Sequence, residues 1–439
     1  MKTTDFHETT QTKLRRIAWL SSRDKGKVFN NLMHLINEES LEICFNELDG
    51  TKAVGEDGIN KAEYGKRLKE NIEELTRKLK SMAYRPGNIR RVEIPKEGRP
   101  GETRPLGISN FEDKLFQKMV QKVLESIYEP LFLESSYGFR PGRGCHDAVR
   151  ALRQHLYENE VESIIDIDLA NFFGTIDHDI LMEILGNKIE DIRLLRYIKR
   201  MLKAGILSEG EMILSDEGVP QGSVCSPILS NIFAHYVLDE WIEETVKAHC
   251  KGRIELIRYC DDAVICCRHK RDAERIKEAL AKRLAKYKLK LNEEKTKMVN
   301  FSKQAYISKE RKQESFDFLG FTFYWGLSRN GKALPKLKSS GKRLRSKLKK
   351  VNEWAKAVRN KYRLPEIWEL FKLKIRGHMR YYGVSFNIHG VKQFLYRTTR
   401  IIFKWLNRRS QKKSLNWEKF MLFMQRNPLP KAKIWHKLC

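Results

Sequence analysis

RYCDDAVICC, residues 258–267, is the stretch whose reading decides the fold. Two adjacent aspartates, Asp261 and Asp262, sit between apolar runs: Ile254, Leu256 and Ile257 before them, Ala263, Val264 and Ile265 after. Each run has the length and β-branched content of a buried strand, so the pair falls at the turn of a β-hairpin. Two carboxylates side by side repel each other, and a packed core does not hold them unpaired. DD alone fits both a polar turn and a site for divalent cations, which are hard ions that bind carboxylate oxygens. A third carboxylate separates the two readings.

That carboxylate lies upstream, in SIIDIDLANFFGTIDH, residues 163–178. Ile164 to Leu169 read as a buried strand carrying acids at i and i+2, Asp166 and Asp168, on one face. Charge on an apolar strand is expensive unless a cation such as Mg²⁺ compensates it. Asp168 with Asp261 and Asp262 makes a three-carboxylate site. Two metals about 3.5–4 Å apart there can activate a 3′-hydroxyl and stabilise a leaving pyrophosphate in an in-line displacement. A nucleotide polymerase requires this.

YCDD (259–262), DIDLANFF (166–173) and GVPQGSVCSPILSNIF (218–233) resemble reverse transcriptases, and more narrowly those encoded by group II introns, the intron maturases. RRVEIPK (90–96), RPLGISNFEDKLFQ (104–117), SYGFRPGRGCHDAV (136–149), LKLNEEKTK (289–297) and FLGFTF (318–323) match the family in the same order. The resemblance covers nearly the whole chain. It implies an α+β fold in a right-hand arrangement: helical fingers, a palm built on an antiparallel sheet, and a basic helical thumb, or maturase X domain. The expected division is residues 1–89 (N-terminal extension and helical fingers), 90–330 (fingers and palm) and 331–439 (thumb).

The chain has 439 residues, enough for two or three lobes with substantial cores. No apolar run reaches about 18 residues and the start lacks an apolar leader core, so neither secretion nor a membrane span is expected and the location reads as cytoplasmic. The eight cysteines show no CxxC spacing and read as reduced thiols rather than a zinc site. Net charge is +29, unevenly placed. Residues 331–439 hold 30 Lys and Arg against 4 Asp and Glu, whereas the preceding 330 residues hold 55 against 52. Polyanion binding is the default reading of that asymmetry.

In chain order, residues 12–85 read as helices around a Gly-rich charged loop at 52–60. Residues 90–108 alternate like a hairpin with its tip at 97–102. An amphipathic helix is expected over 110–133, a helix after the turn at 218–222, a charged helix over 270–290, and long basic helices over 336–357, 364–382 and 391–407.

The resemblance assigns roles to particular residues. Lys96 and Arg104 correspond to fingers cations that contact the incoming triphosphate, and Gln221 to a residue of the nucleotide pocket. Phe173 stands where reverse transcriptases carry a bulky aromatic under the sugar, excluding a 2′-hydroxyl by clash; Phe172 reads as core. Gly174 departs from the family's usual Asp. Arg140 and Arg143 are candidate template contacts, with loop packing the competing role. Gly320 lets the primer strand approach, and Lys295 is a candidate nucleotide-side cation. The implied function is RNA-templated DNA synthesis with two Mg²⁺ ions. Its partners would be deoxynucleoside triphosphates, a DNA or RNA primer, template RNA and group II intron RNA, and no membrane. A free-standing relative in repair or defence, and a non-catalytic RNA-binding splicing factor, are the alternatives.

Overall fold

The computed structural model describes residues 9–95, 101–208, 211–213, 215–309, 314–409 and 415–438. Among them eleven strands are formed: β1 (Ile89–Pro95), β2 (Thr103–Ile108), β3 (Ser163–Ile167), β4 (Ile206–Ser208), β5 (Glu211–Ile213), β6 (Ile254–Tyr259), β7 (Asp262–Cys267), β8 (Lys297–Asn300), β9 (Phe316–Phe318), β10 (Phe321–Leu327) and β11 (Ala333–Ser339). They make three sheets, in the orders β2-β1-β4-β5, β6-β7-β3-β8 and β11-β10-β9. The second and third are wholly antiparallel; the first contains one parallel pairing, β1 with β4. The molecule is therefore α+β.

The central sheet, β6-β7-β3-β8, is buried on both faces, which is why its strands read as nearly unbroken apolar runs. Alternation along the strands divides their side chains between two cores. Ile165, Ile167, Ala263 and Ile265 join the larger core, formed with helices Phe111–Tyr128, Ser226–Ala234 and Lys270–Lys286. Ile164, Val264, Cys266 and Ile257 join a second core with helix Cys145–Glu158, the third sheet and the C-terminal helices. Asp166 and Asp168 share the parity of Ile164, and Asp262 that of Val264. The acids thus point toward the second side.

Helix Phe111–Tyr128 shows why the first core forms where it does. Phe111, Leu115, Phe116, Met119, Val120, Val123, Leu124 and Ile127 make one buried stripe, and Glu112 and Asp113 sit in the first turn, where the helix dipole favours acids. The helix stops at Tyr128, five residues short of the expected end.

Two expectations change in the structure. Residues 336–357 are not one helix: 336–339 belong to β11, where Ala333, Pro335, Leu337 and Ser339 alternate buried with less buried Leu334, Lys336 and Lys338, a period of two rather than 3.6. Helix Gly341–Val358 follows. Because β11 pairs with β10 across residue 330, the expected lobe boundary falls in the turn of a continuous hairpin. Residues 27–37 also depart from the expected α-helix, keeping only a short 3-10 turn at Met33–Leu35: Asn31 has φ of 50° and Phe29 bridges to Ile189. Helices Leu364–Tyr382 and Ile388–Leu406 lie as the sequence indicates.

A strap at residues 433–438 closes the C-terminal unit. Trp435 and His436 donate backbone N–H bonds to the Gly383 carbonyl, and Ser385 donates to that of His436. The strap also reaches helix Cys145–Glu158: Arg153 donates to the Leu438 carbonyl at 2.9 Å, and the His146 ring stacks on that of His436 at 3.9 Å.

His378 lies in the second core, stacked against Phe394 at 3.4 Å and Tyr382 at 4.6 Å, with neither ring nitrogen bonded. Burial, aided by the Lys347 charge, holds its pKa down at about 3. The unfolded chain, with a histidine pKa near 6.5, binds the proton first, so this residue removes stability as pH falls below about 6.5 toward 3. His378→Phe keeps the stacked ring and should shrink the drop in Tm between pH 7.5 and pH 5.5 relative to wild type; an equal drop would show that His378 takes up a proton in the folded protein as readily as in the unfolded chain.

Candidate active site

The turn between β6 and β7 has two residues, Cys260 and Asp261, with Tyr259 paired to Asp262. Cys260 has φ of 59°, a conformation that costs a non-glycine residue energy and persists only when its surroundings impose it. Arg258 does so. Fully buried, it donates from Nη1 to the Cys260 carbonyl at 3.0 Å and to Asn231 Oδ1 at 3.1 Å. It also forks onto Asp239 at 2.7 and 2.6 Å and reaches Ser136 Oγ at 2.7 Å. A rigid guanidinium therefore sets the position of the two aspartates.

Across from the turn, the register that pairs Asp166 with Val264 and Ile167 with Ala263, carried one step further, sets Asp168 opposite Asp262. The Asp168 backbone is fixed from β8's side: its N–H donates to Thr296 Oγ1 at 3.2 Å and its carbonyl accepts from the Asn292 N–H at 2.9 Å. Asp166, Asp168 and Asp262 face a cleft of about 870 Å³. Lys295 and Lys297 line it from the β8 side, Asp317 and Gly320 from the third sheet, and Lys342, Arg343 and Ser346 from the first turns of helix Gly341–Val358.

Electrostatics mark the acids as short of compensating charge. Burial, then the neighbouring Asp261, pushes Asp262 up to about 6, against the pull of Arg343. Burial also raises Asp261, assisted by Asp168 and opposed by its own backbone N–H, Arg258 and Arg104. Burial, followed by Asp262, Asp168 and Asp317, lifts Asp166 to about 7. Among the described residues no three His, Cys, Asp or Glu side chains converge as a ready ion cage. Asp168 takes the Lys295 ammonium at 3.2 Å, a pair about two-fifths exposed and correspondingly weak. The donors themselves are carboxylate oxygens, the hard ligands that suit Mg²⁺.

The other sequence candidates distribute unevenly. Phe173 is half-buried, its ring edge-on to the buried Phe172 at 5.5 Å, and its carbonyl accepts from Val219 N–H at 2.7 Å. That bond, with Gly218 N–H to the Ile176 carbonyl at 2.8 Å, ties the 172–174 turn to the 218–222 loop. Gly174 fits here: a Cβ would lie 2.4 Å from the Asn171 side chain. The Gln221 carbonyl accepts from Gly107 N–H at 2.6 Å, joining the loop to β2 three residues from Arg104. Gly222, at φ of 106°, is needed because a Cβ would sit 2.6 Å from the Gly107 carbonyl. Arg104 is exposed on β2 and close enough to act on Asp261. On the far side of Gly107 and Gly222, the 52–60 loop borders a cavity of about 370 Å³ with Lys61, Lys114 and Lys118. Gly320, at φ of 81°, turns β9 into β10 at the cleft wall. Lys96 lies outside the described residues.

Arg140 does not match its expected place on a template surface. Its side chain is 4% exposed, and its guanidinium bonds Glu129 at 2.9 Å and the carbonyls of Leu133 and Ser136 at 2.7 and 2.9 Å. It anchors the loop from within. Arg143 is held by Glu134 at 2.6 Å over the Tyr137 ring, nearer the surface. Asp166, Asp317, Arg343 and the Arg258–Asp239 pair are site residues that motif reading left aside. Only Asp166 had a visible signal, its i+2 spacing from Asp168.

A carboxylate face at a hairpin turn, floored by a double-covered antiparallel sheet and approached by cations, is the arrangement of a polymerase of the reverse-transcriptase class. Residues 94–323 match the reverse transcriptase (RNA-dependent DNA polymerase) family, and the chain belongs to it. Its relatives include the group II intron-encoded protein LtrA of Lactococcus lactis subsp. cremoris, 33% identical over 234 residues, covering 53% of this chain and 38% of that protein. Protein YkfC of Escherichia coli (strain K12) is 31% identical over 319 residues, 65% of this chain and 83% of that one. A 91 kDa protein in a cob intron of Schizosaccharomyces pombe is 37% identical over 209 residues, 48% of this chain and 25% of that one. The chain thus spans less than two-fifths of LtrA and most of YkfC. No helix among the described residues is long and apolar enough to cross a membrane.

Breaking a buried ion pair by removing one partner strands a charge, at a cost of about 3–5 kcal/mol, whereas replacing both partners with apolar groups costs far less. Asp239→Asn should therefore lower the urea midpoint sharply, and Asp239→Leu with Arg258→Met should recover much of it. A double variant no more stable than Asp239→Asn would show that the hydrogen bonds of Arg258 to the turn, not the charge pairing, carry the stability.

Proposed function

We propose that this protein is an RNA-directed DNA polymerase that extends a primer 3′-hydroxyl with deoxynucleotides and works with group II intron RNA in splicing and mobility. The observation that carries the reading is Asp168 opposite Asp262, with Asp261 in the adjoining turn, at the floor of a cleft walled by cations. In this reading the helices before β3 and the sheet β2-β1-β4-β5 are the fingers, the central sheet is the palm, and the helices from Gly341 onward are the thumb. The lobes divide near 89/90 and 330/331, with the β10–β11 hairpin joining the last two.

Asp168, Asp261 and Asp262 would hold two Mg²⁺ ions, whose contribution when bound is to lower the pKa of the primer hydroxyl and neutralise charge on the leaving pyrophosphate. The chain's own groups supply the rest. Arg104, with Lys96, pairs with the triphosphate by charge-assisted hydrogen bonds. The 218–222 loop, bonded to the Phe173 carbonyl and to Gly107, holds Gln221 and Phe173 in one backbone frame beside the sugar. The half-buried ring excludes a 2′-hydroxyl by occupying its space. Arg143 serves the template, and Gly320 gives the primer strand room beside the carboxylates.

Asp261→Asn should cut primer extension on an RNA template by more than about 100-fold, since the carboxylate charge is what a metal needs. Affinity for RNA should stay within about twofold, because phosphate contacts lie elsewhere. Near-normal extension by the purified variant would overturn the metal assignment and favour a non-catalytic RNA-binding factor.

Phe173→Ala should raise ribonucleotide incorporation relative to deoxynucleotide by about 10–100-fold, the scale on which a steric pocket discriminates. Competitive extension with both nucleotide types reads this directly. An unchanged ratio would leave Phe173 as a packing residue only.

A further inference from the structure

Helix Ile388–Leu406 has nineteen residues and no Asp or Glu. Its inner face is fully accounted for: Val391, Phe394, Thr398, Ile402 and Trp405 are buried in the second core. Its outer face carries Lys392, Tyr396, Arg400 and Lys404, every fourth residue and all exposed. Such a spacing sets them along a slanted row over three turns, about 18 Å of rise, with each neighbour one turn from the next. Among the described residues none of these three cations has a carboxylate in ion-pair range. Arg400 and Lys404 are like charges one turn apart, which weakens the helix. Ring contacts at Tyr396, Trp417 and Trp405 steady these cations, but among the described residues no carboxylate neutralises them, so a polyanion outside the fold is the natural compensation.

The stripe is more than charge. Tyr396 is 60% exposed, a little more than Trp19 at 58%. Arg400 holds it in place, donating to the Tyr396 hydroxyl at 2.9 Å with the guanidinium carbon 5.6 Å from the ring centre. The same guanidinium sits 5.8 Å from the ring of Trp417, itself 41% exposed and braced edge-on against Phe403 at 4.9 Å. A fixed, exposed aromatic face among unpaired cations suits a nucleobase stacked on the ring with its flanking phosphates on the cations. Bases inside a duplex are already stacked on their neighbours and do not reach such a face; bases of a single-stranded loop do.

We infer that the Lys392–Tyr396–Arg400–Lys404 stripe, with Trp417 beside it, is a docking site for an unpaired segment of RNA, held by base stacking on Tyr396 and by phosphate contacts on the cations. This rests on the reading of the protein as an RNA-binding polymerase and names the kind of RNA structure that one part of its basic surface takes. Acidic protein partners would use the same cations but would gain little from the ring face.

The test uses the full chain, with a single-stranded RNA and a blunt RNA duplex of equal length, by fluorescence anisotropy across a salt series. Tyr396→Leu removes the ring at an exposed position and should weaken single-strand binding about tenfold while changing duplex binding less than twofold and leaving the salt slope intact. Lys392→Gln with Lys404→Gln should instead flatten the salt slope for the single strand. A single strand carrying 5-iodouridine should photocrosslink at Tyr396 or Trp417. Equal losses on both RNAs with Tyr396→Leu, or crosslinks confined to other parts of the chain, would overturn the stacking site while leaving the polymerase reading untouched. Failure of the wild-type chain to bind either RNA would overturn both, and retention of an acidic polypeptide in preference to RNA would assign the stripe to a protein partner.

Discussion

The buried Arg258–Asp239 pair is the constraint on which the site depends. Taking both charges out of water is costly, and the cost is met only because every remaining donor of the guanidinium finds an acceptor: Asn231, Ser136 and the Cys260 carbonyl. Those acceptors come from a helix, a loop and the turn itself. A single side chain thus forces three separate segments into one arrangement, and the left-handed backbone at Cys260 is the visible result. Lysine could not substitute, since a point charge lacks the fork that reaches several partners at fixed angles. The two aspartates inherit their position from a residue that never touches solvent.

The central sheet has a second consequence. Covered on both faces, it leaves no surface for a site except at the ends of its strands, and there the period of two sends Asp166, Asp168 and Asp262 to the side of the C-terminal unit. The opposite wall is built from β9, the Leu319–Gly320 turn and the start of helix Gly341–Val358, with Asp317 held by Ser340 Oγ at 2.6 Å and bonded to Thr322 as well. The cleft is therefore shared between segments 150 residues apart in sequence. Asp166, Asp168, Asp262, Lys295 and Lys297 come from one side and Asp317, Lys342 and Arg343 from the other, so the balance of charge in the cleft is set by how those parts pack.

What could be read from the sequence follows from which physics is local. The hairpin around Asp261 and Asp262, the strand that ends one residue before Asp168, the long helix at 364–382 and the cationic last quarter of the chain are all carried by short-range pattern. The run at 336–357 misled because Lys and Arg are common in both helices and exposed strand positions; only the pairing with β10 decides for β11. Arg140 misled for a related reason. A guanidinium in a polar loop has the same sequence signature whether it faces solvent or reaches inward to Glu129 and two carbonyls. Asp239 and Asp317 gave no signal at all, because what makes them matter is a partner more than a turn away or on another strand.

The strap at residues 433–438 ties the end of the described chain to helix Cys145–Glu158, through a bond between residues 285 positions apart. Closing so long a loop comes late in folding, since entropy is lost before any contact rewards it. During synthesis the strands of the central sheet can pair while the strap is still unmade, and the basic helices emerge after them. The order of translation thus separates two capacities in time. A nascent chain carries the lining of the carboxylate cleft, which ends by Ser346, before the last basic helices and the strap have been made. Residues 433–438 then add the last tie, docking against His146 and Arg153 on a helix that already bonds the Tyr381 carbonyl.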